Sequence, residues 1–597
     1  MTLEGMPMTT EAPRDWWKSA VVYQIYPRSF ADSNGDGIGD LRGIIDRLDY
    51  LEMLGVDAVW LSPIYPSPMD DNGYDISDYQ DVEPVFGTLD LLDELIAAMH
   101  ERGLKLVMDL VVNHTSSAHP WFQESRSSRD NPRRDWYWWR PPRTGQVGGR
   151  PGAEPTNWGS AFSGPAWTWD PATEEYYLHN FAPSQPELNW ENPDVRAAVY
   201  SMMRWWLDRG VDGFRMDVVN LISKNVVEGS PGLLDGVVGR RGPNTPGALD
   251  VERYGDQSPH VLNGPRIHEF LQEMHREVFE GRPAGLVSVG EMPGSTVEQA
   301  RLYTDPARRE LDMIFQFEHV DLDSGPHGKW DVVPVSLPRL KGSLGRWQDG
   351  LAEVGWNSLY FGNHDQPRSV SRFGNDDPRH RVRSAKALAT VLHLHRGTPY
   401  IYQGDELGMT NAVFESVDDF RDVESINHYW AALAAGEPRD EVMSALRRKS
   451  RDNARTPMQW DDSPRAGFTS GEPWLPANPN HAEINVAAQL DDPDSVLHHY
   501  RRLIELLHRQ PVVAHGSFQM LLPQHEQVYA FTRCYDDTTL LVEANLSDVD
   551  GVKADLPDVG AWFGADLVLS NMATTAAPGE PLGAWEARVH LRRGTDG

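Results

Sequence analysis

Along most of the chain, short runs of apolar and β-branched residues alternate with longer stretches whose apolar positions recur every three or four residues. The runs VVYQIY from 21, DAVWLS from 57, KLVMDLVV from 105 and DGFRMDVV from 212 predict strands. So do LVSVGE from 286, DMIFQF from 312, NSLYFG from 357 and PYIYQG from 399. Helical patterns such as LDLLDELIAAMHERG, from Leu89, separate them. Eight strands alternating with helices predict an α/β fold in which the strands close into a parallel (β/α)8 TIM barrel. Residues 114–180 are rich in Pro, Trp and Arg and lack helical periodicity, which predicts a small irregular domain inserted after the third strand. A second interruption, EGSPGLLDGVVGRRGPNTPG from Glu228, predicts a flexible lip after the fourth strand. From about 515 the pattern changes to short alternating strands, QVYAFTRCY and TTLLVEANL, which predict a C-terminal β-sandwich. The expected division is barrel over 1–113, insert over 114–180, barrel again over 181–514, and β-domain over 515–597.

Charge narrows the possible partners. Against 88 acidic residues stand 55 basic ones, a formal net charge of −33, which disfavours nucleic acid and anionic membrane as ligands because phosphate binding needs clustered positive charge. No run of about 18 apolar residues suggests a membrane span, and the N-terminus lacks the basic and apolar regions of a signal peptide. The single cysteine, Cys534, rules out an intramolecular disulfide and fits a reducing, cytoplasmic setting; a small buried hydrophobe is its expected role. The 21 tryptophans could stack on sugars or serve packing.

Several predicted strands end in charged or amide residues, and in a (β/α)8 barrel that carboxyl end carries the active site. Asp217 in GFRMDVV, Glu291 in VGEMPG and Asp365 in FGNHDQP each end a different strand. Because side chains alternate, Arg215 and Asp217 share a face, as do Asp109 and Asn113 in DLVVNH, with His114 just beyond. One such acid could be half of a buried ion pair closing the barrel top. Three on three strands, beside neutral donors such as His114 and His364, suit glycoside hydrolysis, in which one carboxylate attacks the anomeric carbon and a second carboxylic acid frees the leaving oxygen. Arg215 would keep Asp217 ionised, leaving Glu291, next to Met292 and Pro293, as the acid.

The segments DLVVNH, GFRMD, GEMPG and FGNHDQP, in this order, resemble the four signature segments of the α-amylase superfamily. FQFEHVDLDSG, IYQGDELGMTN, NARTPMQWDDSPRAGFT and WLPANPN resemble its oligo-1,6-glucosidase (isomaltase) and α-glucosidase branch, and the resemblance spans roughly residues 15 to 510. It implies Asp217 as nucleophile, Glu291 as acid/base and Asp365 as stabiliser of the transition state, with retention of configuration. It implies that Arg215, His114 and His364 hold the glucose, that Tyr74 supplies a stacking face, and that Asp75 pairs with Arg451 to close the pocket behind the non-reducing glucose. It also implies that Val218, the residue after the nucleophile, favours α-1,6 over α-1,4 bonds. Sucrose isomerases share that valine but carry R-L-D-R-D after the sixth strand, where this chain reads Asp321-Leu322-Asp323-Ser324-Gly325. Glucosyl transfer and an α-1,4 preference remain alternatives, and a non-catalytic, transporter-associated role is a remote one. Departures from the pattern lie in the Pro/Gly-rich lengthening from Pro141 and in the lip.

In DSNGDGIGDL, oxygen-bearing side chains recur at Asp32, Asn34, Asp36 and Asp40 around Gly37, as at the start of an EF-hand loop. The twelfth position, however, is Gly43 where an EF-hand needs Glu, and the preceding segment reads as a strand. Ordinary turn chemistry fits the same spacing. The family resemblance implies a structural Ca2+ held by Asp32, Asn34, Asp36, the Ile38 carbonyl and Asp40; magnesium would take the same donors. No organic cofactor is expected, and the expected partner is a short oligosaccharide.

Overall fold

The computed structural model describes residues 15–225, 235, 254–573 and 576–594. Eight parallel strands form one sheet: Val22–Ile25, Ala58–Leu61, Lys105–Val111, Gly213–Asp217, Val287–Glu291, Met313–Phe315, Ser358–Leu359 and Thr398–Tyr402. Each pairs with the next in this order, the eighth pairs with the first, and a parallel bridge between Ile314 and Asn357 closes the barrel between the sixth and seventh. Every predicted barrel strand is present. The strands are apolar on both faces because both are buried. Val22, Ala58, Trp60, Val107, Val289, Met313, Phe315 and Tyr400 fill the interior, while Tyr23, Val59, Leu106, Phe214 and Ile401 meet the surrounding helices. The predicted helix from Leu89 runs Leu89–Glu101, capped by the Thr88 side chain accepting from the Leu91 N–H.

Between the third and fourth barrel strands lies a small three-stranded antiparallel sheet of Trp139–Arg140, Glu175–Leu178 and Trp167–Asp170. This region also contains a helix, Pro120–Ser127, which the sequence pattern did not suggest: Pro120 supplies the first turn and His119 caps it, so local signals replace apolar periodicity. Trp138, Trp158 and Trp167 are buried in the insert's own core, so here tryptophan serves packing. The lip from Glu228 falls, apart from Asp235, outside the described residues.

The C-terminal region forms one five-stranded antiparallel sheet, in the order Ser517–Leu521, Val528–Tyr535, Thr538–Asn545, Ala587–Arg593, Asp566–Ser570. Among the described residues it is a single sheet and not a sandwich. One face packs on barrel helices, including Arg381–His393, and the other is covered by Val552, Leu556, Trp562 and Leu582 from connecting segments. Lys341 fastens the sheet to the barrel by donating to the carbonyls of Leu522, His525 and Val528. Cys534 is exposed near the end of its strand, which corrects the expectation of a buried residue. No described helix is long and apolar enough to cross a membrane.

Candidate active site

Strand register assembles the floor of the site. Asp109 on the third strand lies beside Arg215 on the fourth, and Arg215 beside Val289 on the fifth, two residues before Glu291. One guanidinium nitrogen of Arg215 donates to both Asp109 and Asp217 at 2.8 Å, and the other lies 2.7 Å from Glu291 Oε2. The guanidinium also lies 4.9 Å from the Trp60 ring. Arg215 is 1% exposed, so three carboxyls share one buried cation. Burial is the main force raising the Asp217 carboxyl; Glu291 adds to it, and Arg215 offsets only part. Burial likewise pushes Asp109 up to about 6 against the pull of Arg215. The Arg215 contact expected for Asp217 is therefore present, but sharing one cation among three acids leaves it too weak to set the protonation alone.

At the closed end the balance reverses. Asp365 accepts from Arg455 at 2.7 Å and meets Arg451 at 3.4 Å. Burial opposes its charge, yet the His364 imidazole at 3.3 Å and the two guanidiniums outweigh burial and hold the carboxyl well below the usual carboxylate range. Burial pushes His364 itself down to about 3, so it is neutral near pH 7 and the arginines supply the positive charge. Gln24 Nε2 lies 2.8 Å from His364 Nδ1, which makes Nδ1 the acceptor and leaves Nε2 as a donor that faces Asp365 Oδ2 at 3.3 Å without forming a hydrogen bond. His114, also buried, is pushed down to about 4 and is likewise neutral.

Tyr74, His114, Asp217, Val218, Glu291, Asp365 and Arg451 border one cavity of about 230 Å³. Tyr74 stacks on His364 with ring centroids 5.1 Å apart, and its hydroxyl donates to Asp109. Arg215 and His364 act from beneath this lining. Asp75 does not reach the cavity. Its carboxylate accepts from the Ser67 hydroxyl and from the N–H groups of Asp70 and Asp71, and burial raises it to about 6. The acid that pairs with Arg451 is Asp71, at 2.9 Å, and it lines the cavity. The expected Asp75–Arg451 pair is thus corrected by four positions: positive φ at Met69, Asn72 and Gly73 curls the loop so that Asp75 braces it from inside while Asp71 faces Arg451. Asp422 and Arg455 were also missed, although Arg455 stands in the quoted NARTP segment and Asp422 just before a helix; Asp422 grips Arg451 from behind.

Val218 has φ 35° and ψ 39°, a left-handed conformation rare for a β-branched residue. The turn aims its N–H at Glu291 Oε2, 3.1 Å away, so backbone strain of about 1–3 kcal/mol is spent on orienting that acid.

The Asp32–Asp40 loop lies apart from this cavity. Asp32 accepts from the N–H groups of Asn34, Gly35 and Gly37 and from the Thr469 hydroxyl, while Asn34 accepts from Asp36 and Asp36 from Ile38. Asp40 caps the following helix through the Gly43 N–H and accepts from Ser33. Among the described residues no group of three or more His, Cys, Asp or Glu side chains converges as metal ligands. The donor set is nonetheless all hard oxygen, the type that suits Ca2+ or Mg2+; Asn34 Oδ1 and Asp36 Oδ1 each accept one N–H and keep a second lone pair, whereas each carboxylate oxygen of Asp32 already accepts two hydrogen bonds.

A model of the alpha-amylase catalytic domain matches residues 24–516. An oligo-1,6-glucosidase of Parageobacillus thermoglucosidasius is 55% identical over 97% of this chain and 99% of its own. Among solved structures, the trehalose-6-phosphate hydrolase of Bacillus licheniformis superposes with a TM-score of 0.86 at 43% identity, covering 97% of this chain and 100% of that one. The isomaltulose synthase of Klebsiella sp. LX3 superposes with a TM-score of 0.88 at 40% identity, over 97% and 99%. With three acids at the ends of three barrel strands around one cavity, the chain belongs to the alpha-amylase family of glycoside hydrolases.

Proposed function

We propose that the protein is a retaining, exo-acting α-glucosidase that releases glucose from the non-reducing end of short α-glucosides and prefers α-1,6 bonds, an oligo-1,6-glucosidase. The observation that supports the exo mode is the Asp71–Arg451–Asp365 ion-pair chain, which borders the same cavity as the reacting acids and would close it behind a terminal sugar. Retention is supported by Asp217 and Glu291 pairing with the same guanidinium, at 2.8 and 2.7 Å, which brings the two carboxyls together as a double displacement requires.

In this reading the Asp217 carboxylate attacks the anomeric carbon while Glu291 gives its proton to the departing oxygen. Asp365, held ionised by its arginines, stabilises the positive charge that builds on the ring. The Asp217 glycosyl ester is then opened by water that loses its proton to Glu291, regenerating both groups. Neutral His114 and His364 donate to sugar hydroxyls without adding charge. The rates on isomaltose and maltose, with Asp217→Ala as control, test the proposal. Faster glucose release from isomaltose, abolished in the variant, is expected; faster release from maltose would overturn the linkage preference assigned to Val218, worth about 1–3 kcal/mol at most.

We further propose that Asp32, Asn34, Asp36, the Ile38 carbonyl and Asp40 hold a structural Ca2+ that stiffens their loop. Support comes from the hard-oxygen donor set, and metal analysis of purified protein tests it: about one equivalent is expected, and none after purification in calcium would contradict it. A cytoplasmic setting, supported by the single exposed and unpaired cysteine, is checked by cell fractionation.

A further inference from the structure

The cavity has a wall that the chemistry above leaves unused. Asn180 is 1% exposed; its backbone N–H donates to Glu187 and its carbonyl accepts from the Ala161 N–H, yet neither polar atom of its side-chain amide has a hydrogen-bond partner. Gln257 is 2% exposed, and its Oε1 has no partner either, nor has the Ser258 hydroxyl. All three residues border the catalytic cavity. Backbone hydrogen bonds between Gly159 and Gly255 and between Gly255 and Asn157 tie the segment before Gln257 to the inserted domain that carries Asn180.

The part of this wall that carries Gln257 and Ser258 adjoins the stretch after Glu291. The Asn220 amide, three residues past Asp217, donates to the Pro293 carbonyl and to Asn263 Oδ1, and the Ser295 hydroxyl donates to the same Asn263 oxygen. The segment containing Gln257 and Ser258 is therefore fastened both to the stretch after Asp217 and to the stretch after Glu291, the acid that protonates the leaving oxygen.

A buried polar group left without a hydrogen-bond partner is costly, and four side-chain atoms with no protein partner border one cavity here. Such a cost is tolerated where a ligand supplies the partners. The groups are uncharged and offer both donors and acceptors, which complements neutral hydroxyls; phosphate or carboxylate would call for free cations. The cations that border the cavity elsewhere are already paired, Lys329 with Glu424, and Arg372 and Lys449 with Asp323.

We propose that Asn180, Gln257 and Ser258 form the binding site for the departing sugar, a neutral hexosyl unit, and so set the preference for a glucosyl–sugar bond over a glucosyl–aryl bond. This rests on the glucosidase reading and deepens it. The test compares kcat/KM on isomaltose with kcat/KM on p-nitrophenyl α-glucoside, whose leaving group brings no ring of hydroxyls, for the parent, Asn180→Leu and Gln257→Leu. The isomaltose-to-aryl ratio is expected to fall about tenfold or more in Asn180→Leu, mostly through KM, and in the same direction in Gln257→Leu. An unchanged ratio in both variants, whether the two rates fall together or not at all, would overturn the proposal. A parent inactive on both substrates would instead overturn the glucosidase reading beneath it.

Discussion

The floor and the closed end of the cavity are both built from carboxyls and buried guanidiniums, the Asp365 carboxyl being partly exposed, and they do opposite things. On the floor, Asp109, Asp217 and Glu291 share Arg215, and burial wins: the Asp109 and Asp217 carboxyls are pushed up. At the closed end Asp365 sits beside both Arg451 and Arg455, and the cations win. One guanidinium shared by three carboxyls does not offset burial at Asp217, whereas His364 and two guanidiniums beside one carboxyl outweigh it at Asp365. Glycoside hydrolysis needs this division, since a proton must be kept among the reacting acids while the stabilising carboxylate stays charged.

The comparison breaks most severely if the closed end is opened. Asp71→Ala leaves Arg451 without its partner across the pocket, and kcat/KM for isomaltose is expected to fall about 100- to 1,000-fold, the scale of a broken buried pair. Asp75→Asn is the sharper control. Because Asp75 braces the loop and does not itself line the cavity, steady-state kinetics should show a loss within about tenfold. The reverse ranking would restore Asp75 as the partner of Arg451.

The smallest effect concerns an acid with no cation at all. Glu406 accepts from the hydroxyls of Tyr23 and Tyr50 at 2.8 and 2.6 Å, and burial pushes it up to about 7. Its folded-state value lies above its unfolded value of about 4.3, so the stability it contributes is complete below that pH and is lost as pH rises through about 7. Thermal melts at pH 5 and pH 8 should therefore show a larger fall for the parent than for Glu406→Gln, which cannot ionise; equal falls would mean that Glu406 does not titrate there.

Much of this was legible in the sequence. The eight strands stand out because a parallel barrel buries both faces of each strand, and the three acids stand out because a charge at the end of such a run is costly without a purpose. The resemblance of the signature segments supplied roles that spacing alone left open. Asp71 was not legible because DDNGYD holds three acids within six residues, and only the left-handed turns at Asn72 and Gly73 decide which of them faces Arg451. Asn180 carried no signal at all, since a missing hydrogen bond is a property of the packed cavity. The C-terminal strands were visible, but a single sheet and a sandwich share the same alternation, and the barrel helices that take the place of a second sheet lie far away in sequence.

The pairing of Asp217 with Glu291 across Arg215 is tested most directly by the anomer of the first glucose released from isomaltose, followed by proton NMR before mutarotation. α-Glucose formed first is expected from a double displacement through Asp217; β-glucose formed first would show that water attacks directly and that Asp217 is not the nucleophile.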